Sequence, residues 1–477
     1  MSEETKGPGR HSMANQALIE EKVKTYLLSL SPQARKMFLA KLETAGGNGL
    51  SDAQRKLFLS VARSVVRERA TEAERADMIM RAFFRPVEPF LYDGELQKRQ
   101  RGRIARSSLE RIWGWISRDV APDPLVAVLK GEGTGDIDDD QIEEQTAQIR
   151  AETLRVMRSH LKDIQQVPRG KQRLAAQLGG GDQMEDLEDL IAVLSHEREF
   201  ASFFKKLPAR FTTADFAPDG YALKILKAFL GSFPKDPAFV AAALLDRLPS
   251  AVFLVTVTKG LAKADSVKKI DVAPYRAFID VLLSEVGRLV MGFTEAQQGG
   301  KDIETLTGMI DRYHEVVRAL DVDIQIEEYG EWSATLAASR RKMSDRVGIE
   351  IEPAIALVRR ILRVSDDASG VLDVHMVADA TRALHILTAA RRAVDSLALN
   401  DLQSRTWRNV RQSVETLSYG LLERIRAGDA GTCDLPIKKL DAAIDFSRIV
   451  FDEDYAYGLQ RTRNNAVANL DKRATGT

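Results

Sequence analysis

Cysteine is all but missing from this sequence of 477 residues: Cys433 is the only one. A lone thiol rules out an intramolecular disulfide and any metal site built from several cysteines, and it suits a reducing cytoplasm. Cys433 stands between Gly431-Thr432 and Asp434-Leu435-Pro436, which reads as a loop, so a bland free thiol is expected there rather than a nucleophile. Net charge is missing as well. Lys+Arg and Asp+Glu both number 69, so no field of one sign draws the whole molecule to nucleic acid, and any electrostatic preference must come from local patches. Long apolar runs are a third absence. The most apolar stretch, Pro237 to Ala262, is broken by Asp246, Arg247 and Pro249 and falls short of the ~20 apolar residues of a membrane span. The first residues, with Glu3, Glu4, Gly7 and Pro8, lack the apolar core of a signal peptide. A soluble cytoplasmic protein is expected.

Signatures of chemistry are absent too. Gly300-Lys301 is followed by Asp302, and Glu295 stands where a phosphate loop needs its first glycine; carboxylates there would repel the phosphates. Gly131-x-Gly133-x-Gly135 lacks the spacing of a dinucleotide turn and runs into aspartates. Asp136 to Asp140 opens like a calcium loop but has Gln141 and Ala147 where that loop needs its Gly and its bidentate Glu. His196-Glu197 and His314-Glu315 have Phe200 and Arg318 in place of a second zinc ligand. The best metal candidates are His375 and Asp379, four apart on one helix face, with Asp373 and His385 nearby. Two ligands on one helix fall short of the three or four a site normally takes. No cofactor is expected, and a metal- or carboxylate-dependent hydrolase built between helices around these residues is the enzyme alternative.

What is present is helical. Leu30-Ser31-Pro32-Gln33-Ala34-Arg35-Lys36-Met37-Phe38-Leu39 is echoed by Leu50-Ser51-Asp52-Ala53-Gln54-Arg55-Lys56-Leu57-Phe58-Leu59, with a Gly-rich turn between. Each copy opens on a serine suited to cap a helix, so the pair reads as a helical hairpin. Thr71-x-x-Glu74 and Ser107-x-x-Glu110 have the capping-box form. Ile355, Val358, Ile361 and Leu362 follow one helical stripe, and Leu384, Leu387, Ala390 and Val394 lie close to another. Val252-Phe253-Leu254-Val255-Thr256-Val257-Thr258 has strand composition, yet no second run of that quality could pair its backbone. It is read as a buried helix. At roughly 150 residues per domain, the expected fold is all-α, with helical hairpins packed in two or three subdomains and a partly repeat-like character. The divisions are a disordered 1–14, an N-terminal helical domain 15–130, an acidic linker 131–146, a middle helical region 147–300 and a C-terminal helical region 301–477.

One segment stands out. Between Leu96 and Arg118 lie Lys98, Arg99, Arg101, Arg103, Arg106, Arg111 and Arg118 against the single acid Glu110. Taking Ser107 as the cap puts Leu109, Ile112, Trp113 and Ile116 on the apolar stripe. Trp115 is left off it, near the surface and bracketed by Arg111 and Arg118. Three readings compete. In the first, Trp115 packs on a neighbouring helix and the arginines are solvated. In the second, Arg103, Arg106, Arg111, Trp115 and Arg118 form a protein-binding patch, since Trp and Arg are enriched at hot spots. In the third, the basic segment 98–118 contacts nucleic acid or anionic lipid. With no catalytic constellation in view, the expected function is a non-enzymatic cytoplasmic protein that binds other proteins as an adaptor, scaffold or regulator.

Overall fold

The computed structural model describes residues 21–27, 30, 32–44, 56, 58–62, 72–122, 139–217, 219–232, 236–263, 270–271, 275–300, 302–326, 330–364, 371–428 and 433–475. The fold is all-α. Among the described residues the only strand pairing is that of Leu91–Tyr92 (β1) with Ile104–Ala105 (β2), which run parallel. No helix among them is long and apolar enough to cross a membrane. Ser31, Ser51, Thr71 and the first half of the acidic linker, 131–138, lie outside the described residues, and 139–146 belong to the helix Asp139–Gln166. The two echoed segments do meet in one apolar cluster: Leu27, Leu39, Val61 and Ala62, with Val23, Leu30, Phe38, Leu42 and Leu59 packed against it.

Contacts divide the chain into two units, residues 1–93 with 103–206 and residues 94–102 with 207–477. The first unit contains α1 (Pro32–Thr44), α2 (Glu72–Phe84), α3 (Arg106–Trp115), α4 (Asp139–Gln166), α5 (Gly170–Leu178), α6 (Gly181–Ser195) and α7 (Glu197–Lys206). Its core gathers Phe83, Phe84, Phe90, Ile112, Met157, Leu187, Leu190 and Phe200. A buried cation is part of that core. Arg150 is only 1% exposed. Its guanidinium donates to the carbonyls of Ala82 and Phe83, at 2.9 and 3.2 Å, and to both Glu197 oxygens, at 2.9 and 2.7 Å. The carbonyls belong to the last turn of α2 and Glu197 to the first turn of α7, so each charge meets the helix end whose dipole favours it. The bidentate pairing satisfies a group that would be very costly to bury alone.

The second unit contains α8 (Tyr221–Ser232), α9 (Pro237–Arg247), α10 (Val252–Ala262), α11 (Arg276–Gln298), α12 (Ile303–Asp323), α13 (Gly330–Ile351), α14 (Ala354–Leu362), α15 (Val374–Arg392), α16 (Asn400–Ala427), α17 (Asp434–Val450) and α18 (Glu453–Thr475). Each helix packs on near neighbours in sequence. α11 touches α9, α12 and α13; α15 touches α12, α13 and α14; α16 touches α14, α17 and α18. Gly299-Gly300 lies between α11 and α12, which pack on each other. The division at 206/207 falls within the stretch read as one middle region.

The strand-like run is indeed a helix. In α10, Leu254, Val255, Val257, Thr258 and Leu261 are buried, and the Thr258 hydroxyl donates to the Leu254 carbonyl at 2.7 Å. Burial of that face outweighs the modest helix cost of β-branched residues. Residues 94–102 thread this unit closely. Gly102 has φ +82°, and a Cβ there would lie 2.9 Å from the Ala238 carbonyl, so glycine is required both by conformation and by space.

Candidate functional site

Of the stripe that the spacing of the Arg/Trp segment suggested, Leu109, Ile112 and Ile116 are buried, but Trp115 takes the core place expected of Trp113. Helix α3 begins at Arg106, with Ala105 as its N-cap, so Ser107 does not cap it. Its first turn is held instead by Asp186 of α6, which is 1% exposed. One Asp186 oxygen accepts from the Ala105 N–H at 3.2 Å and from the Ser108 hydroxyl at 2.6 Å. That interaction draws Ser108 inward. At about 100° per residue, Ser108, Ile112 and Trp115 share an arc of about 60°. Trp115 is therefore core, 2% exposed, with its ring edge-on to His160 at 5.7 Å. Trp113, expected in the core, is half-buried against Phe83 and Phe84, at 5.3 and 5.8 Å between ring centroids.

The arginines of this segment are largely engaged. Arg103 is buried, with its guanidinium 5.3 Å over the Tyr92 ring. Arg106 grips Glu88 at 3.1 and 3.0 Å and Asp93 at 3.0 Å. Arg118 holds Asp119 at 2.9 and 2.7 Å, and that hydrogen bond keeps the Asp119 carboxyl below the usual range. Arg111 is exposed and lies over Gly179, whose φ is +113° and where a Cβ would collide with the guanidinium. In the second unit, Arg101 pairs with Asp236, and Lys98 stands near enough to Asp280 to act on its charge. Acids are thus interleaved with the basic run.

The metal candidates separate in the same way. Asp373 caps α15, accepting from the N–H groups of His375 and Met376 at 3.0 and 3.1 Å. His375 and Asp379 are exposed. His385 is half-buried, which pushes its pKa down. Among the described residues, no group of three or more His, Cys, Asp and Glu could hold a metal ion. Cys433 is a free, buried thiol, with Sγ 3.9 Å from the Ile425 carbonyl. A shallow groove in the first unit, where α5 and α6 begin, is lined by Ile164, Val167, Arg169, Lys171 and Met184; Lys171 is held by Glu188 at 2.6 Å.

A second Arg/Trp constellation, assembled only by the fold, lies in the other unit. Arg391, in the last turn of α15, sits 4.1 Å over the Trp407 ring of α16. Arg411, one turn farther along α16, is 5.9 Å from the same ring and 4.4 Å over the ring of Phe451. Phe451 ends α17, and its other neighbour is Tyr455 of α18, stacked at 4.2 Å with 12° between planes. Cation and ring alternate from Arg391 to Phe451, and Tyr455 closes the series. Arg405 and Arg408 stand exposed on the same helix as Trp407. Among the described residues, none of Arg391, Arg405, Arg408 and Arg411 has a carboxylate within ion-pair distance. Adjacent Arg392, by contrast, takes Asp311 at 2.8 Å.

No protein-family model, no curated protein and no solved structure matches the chain. The geometry therefore carries the functional reading alone. Sequence reasoning passed over this site because its rings come from three separate helices or their ends. The local signal that could have flagged it is Arg405-x-Trp407-Arg408-x-x-Arg411, which holds arginines at helical spacing around a tryptophan without an acid among them. Burial raises the pKa of Tyr455, Glu415 adds to that effect, and Arg411 opposes it. The hydroxyl thus stays protonated, and the end of the ladder is uncharged.

Proposed function

We propose that this is a helical binding protein, acting as an adaptor, scaffold or regulator, and that it docks another protein through the guanidinium–aromatic ladder of its second unit. The observation that carries this reading is the set of exposed guanidiniums at Arg391, Arg405, Arg408 and Arg411, none of which has an ion pair among the described residues, with Arg391 and Arg411 lying over the half-buried rings of Trp407 and Phe451. Exposed arginine next to Trp and Tyr is the composition enriched at the energetic centres of protein interfaces. Cation–π stacking also fixes the Arg391 and Arg411 side chains before a partner arrives, which lowers the entropy lost on binding.

The test is a comparison of wild type with Arg405→Glu/Arg408→Glu in affinity purification from native cells, followed by reconstitution with the purified partner. The reading requires a partner that binds wild type and is lost from a variant whose circular dichroism and melting are unchanged. Equal recovery of every partner by both proteins overturns it.

A further inference from the structure

We infer that the ladder is a reader of carboxylates: its partner is an acidic polypeptide segment carrying an apolar side chain a few residues from its acids. This rests on the reading of the ladder as a docking surface and adds to it the chemistry of what docks.

Ring faces are taken at Phe451 and, on one side, at Trp407. Arg411 and Tyr455 lie 4.4 and 4.2 Å from the Phe451 centroid. Two groups that close cannot share one face, so Phe451 is covered on both. Trp407 carries Arg391 at 4.1 Å. A nucleobase could stack on Phe451, or on the Trp407 face that Arg391 covers, only by displacing Arg391, Arg411 or Tyr455, which forfeits the gain of about 1–3 kcal/mol that base stacking on an open aromatic brings. What remains available is the edge of the Arg391 and Arg411 guanidiniums and the whole fork of exposed Arg405 and Arg408. A guanidinium lying flat on a ring keeps its N–H groups in the ring's own plane direction, splayed outward as a fork, and that fork matches a carboxylate bidentately.

The surroundings separate an acidic peptide from a polyanion of uniform charge. Asp401, Glu415 and Glu423 are exposed on the same α16 as Arg405 and Arg408. Duplex DNA carries a charge about every 1.7 Å and would bring phosphates against these acids along with the arginines. A peptide can place its carboxylates at the forks and neutral residues elsewhere. Beyond the arginines, Tyr419 is 64% exposed. It lies eleven residues beyond Arg408, close to the same face at about 100° per residue and about 16 Å along the axis. An extended segment covers that distance in about five residues, which sets the interval between its acids and its apolar anchor.

The experiment is fluorescence anisotropy on the full chain with three labelled probes: a Glu-rich peptide ending in leucine, oligo-dT of about the same length, and a DNA hairpin. Wild type is compared with Arg405→Lys/Arg408→Lys/Arg411→Lys, which keeps the charge and removes the forks, and with Tyr419→Ala. The expected result is peptide binding that exceeds both nucleic-acid probes and weakens about tenfold or more in the lysine variant, the scale of one charge-assisted hydrogen bond. Tyr419→Ala should weaken it about threefold or more, through lost apolar contact. Tighter binding of either nucleic-acid probe overturns the inference. So does peptide binding that is indifferent to Arg→Lys, or no peptide binding at all. In that last case, a cellular partner still lost from Arg405→Glu/Arg408→Glu would leave the docking surface standing and remove only its acidic specificity. No such partner and no peptide binding would remove both.

Discussion

The two Arg/Trp regions of this chain are built from the same residue types and end in opposite states. Around α3, Arg103, Arg106 and Arg118 are occupied by Tyr92, by Glu88 and Asp93, and by Asp119, while Trp115 is sealed in the core. Around α16, Arg391 and Arg411 rest on rings, Arg405 and Arg408 are exposed, and none of the four has an ion pair among the described residues. Neutralisation decides the difference. An arginine already paired must surrender that pair before it can take a partner's carboxylate, whereas a stacked, unpaired one has its donors free. Counting basic residues along a sequence ranks the first region above the second, and the three-dimensional pairing reverses the order.

Substitutions can break or sharpen this contrast. The largest effect should come from Trp115→Ala, which empties a core position and should cost about 3–5 kcal/mol. Trp113→Ala gives up two ring contacts at a half-buried site and should cost about 1–3 kcal/mol. Denaturant midpoints of the two variants compare them directly, and equal midpoints would mean that α3 does not present the face described.

Next in size is Asp186→Ala. It strips the acceptor from the Ala105 N–H and the buried Ser108 hydroxyl, an expected loss of about 1–3 kcal/mol. Adding Ser108→Ala in that background should cost little more, because the pair acts as a unit. Additive losses would show that Ser108 is not turned inward by Asp186. The smallest effect belongs to α16. Arg405→Ala and Arg408→Ala should each leave stability within about 0.5 kcal/mol, as read by thermal melts. A larger drop in either would make the ladder region as structural as α3 and erase the contrast.

Much of the fold was legible in the sequence, because helical periodicity survives burial. Val358, Ile361 and Leu362 line the buried face of α14, and Leu384, Leu387 and Ala390 that of α15. The run Val252 to Thr258 was resolved as helix by asking where its backbone hydrogen bonds could go. One local cap of the structure was not singled out in the sequence. Thr212-x-x-Asp215 forms a reciprocal box, with the Asp215 carboxylate accepting from the Thr212 N–H at 2.8 Å. Ser107-x-x-Glu110 has a similar spacing and no such role, because Asp186, distant in the chain, supplies the acceptor. Leu109, Ile112 and Ile116 of α3 are buried as read, and only the choice between Trp113 and Trp115 was misjudged, because a serine such as Ser108 looks like surface until its buried partner is known. The ladder joins the end of α15, the middle of α16 and the corner between α17 and α18, and a pattern confined to one helix shows only part of it.

The helix at Val252–Ala262 has a consequence for how the protein fails. Its seven-residue opening, Val252 to Thr258, carries no charge and no proline, and composition of that kind pairs readily into cross-β stacks once released. Covered by its neighbours, it is harmless. Opened by heat or by a weakened second unit, it becomes a seed for self-association, with Lys259 on one side and Arg247 and Pro249 on the other as gatekeepers. Re-folding then competes with aggregation, so the useful lifetime of the protein follows how fast this helix is uncovered rather than how favourable the folded state is at equilibrium.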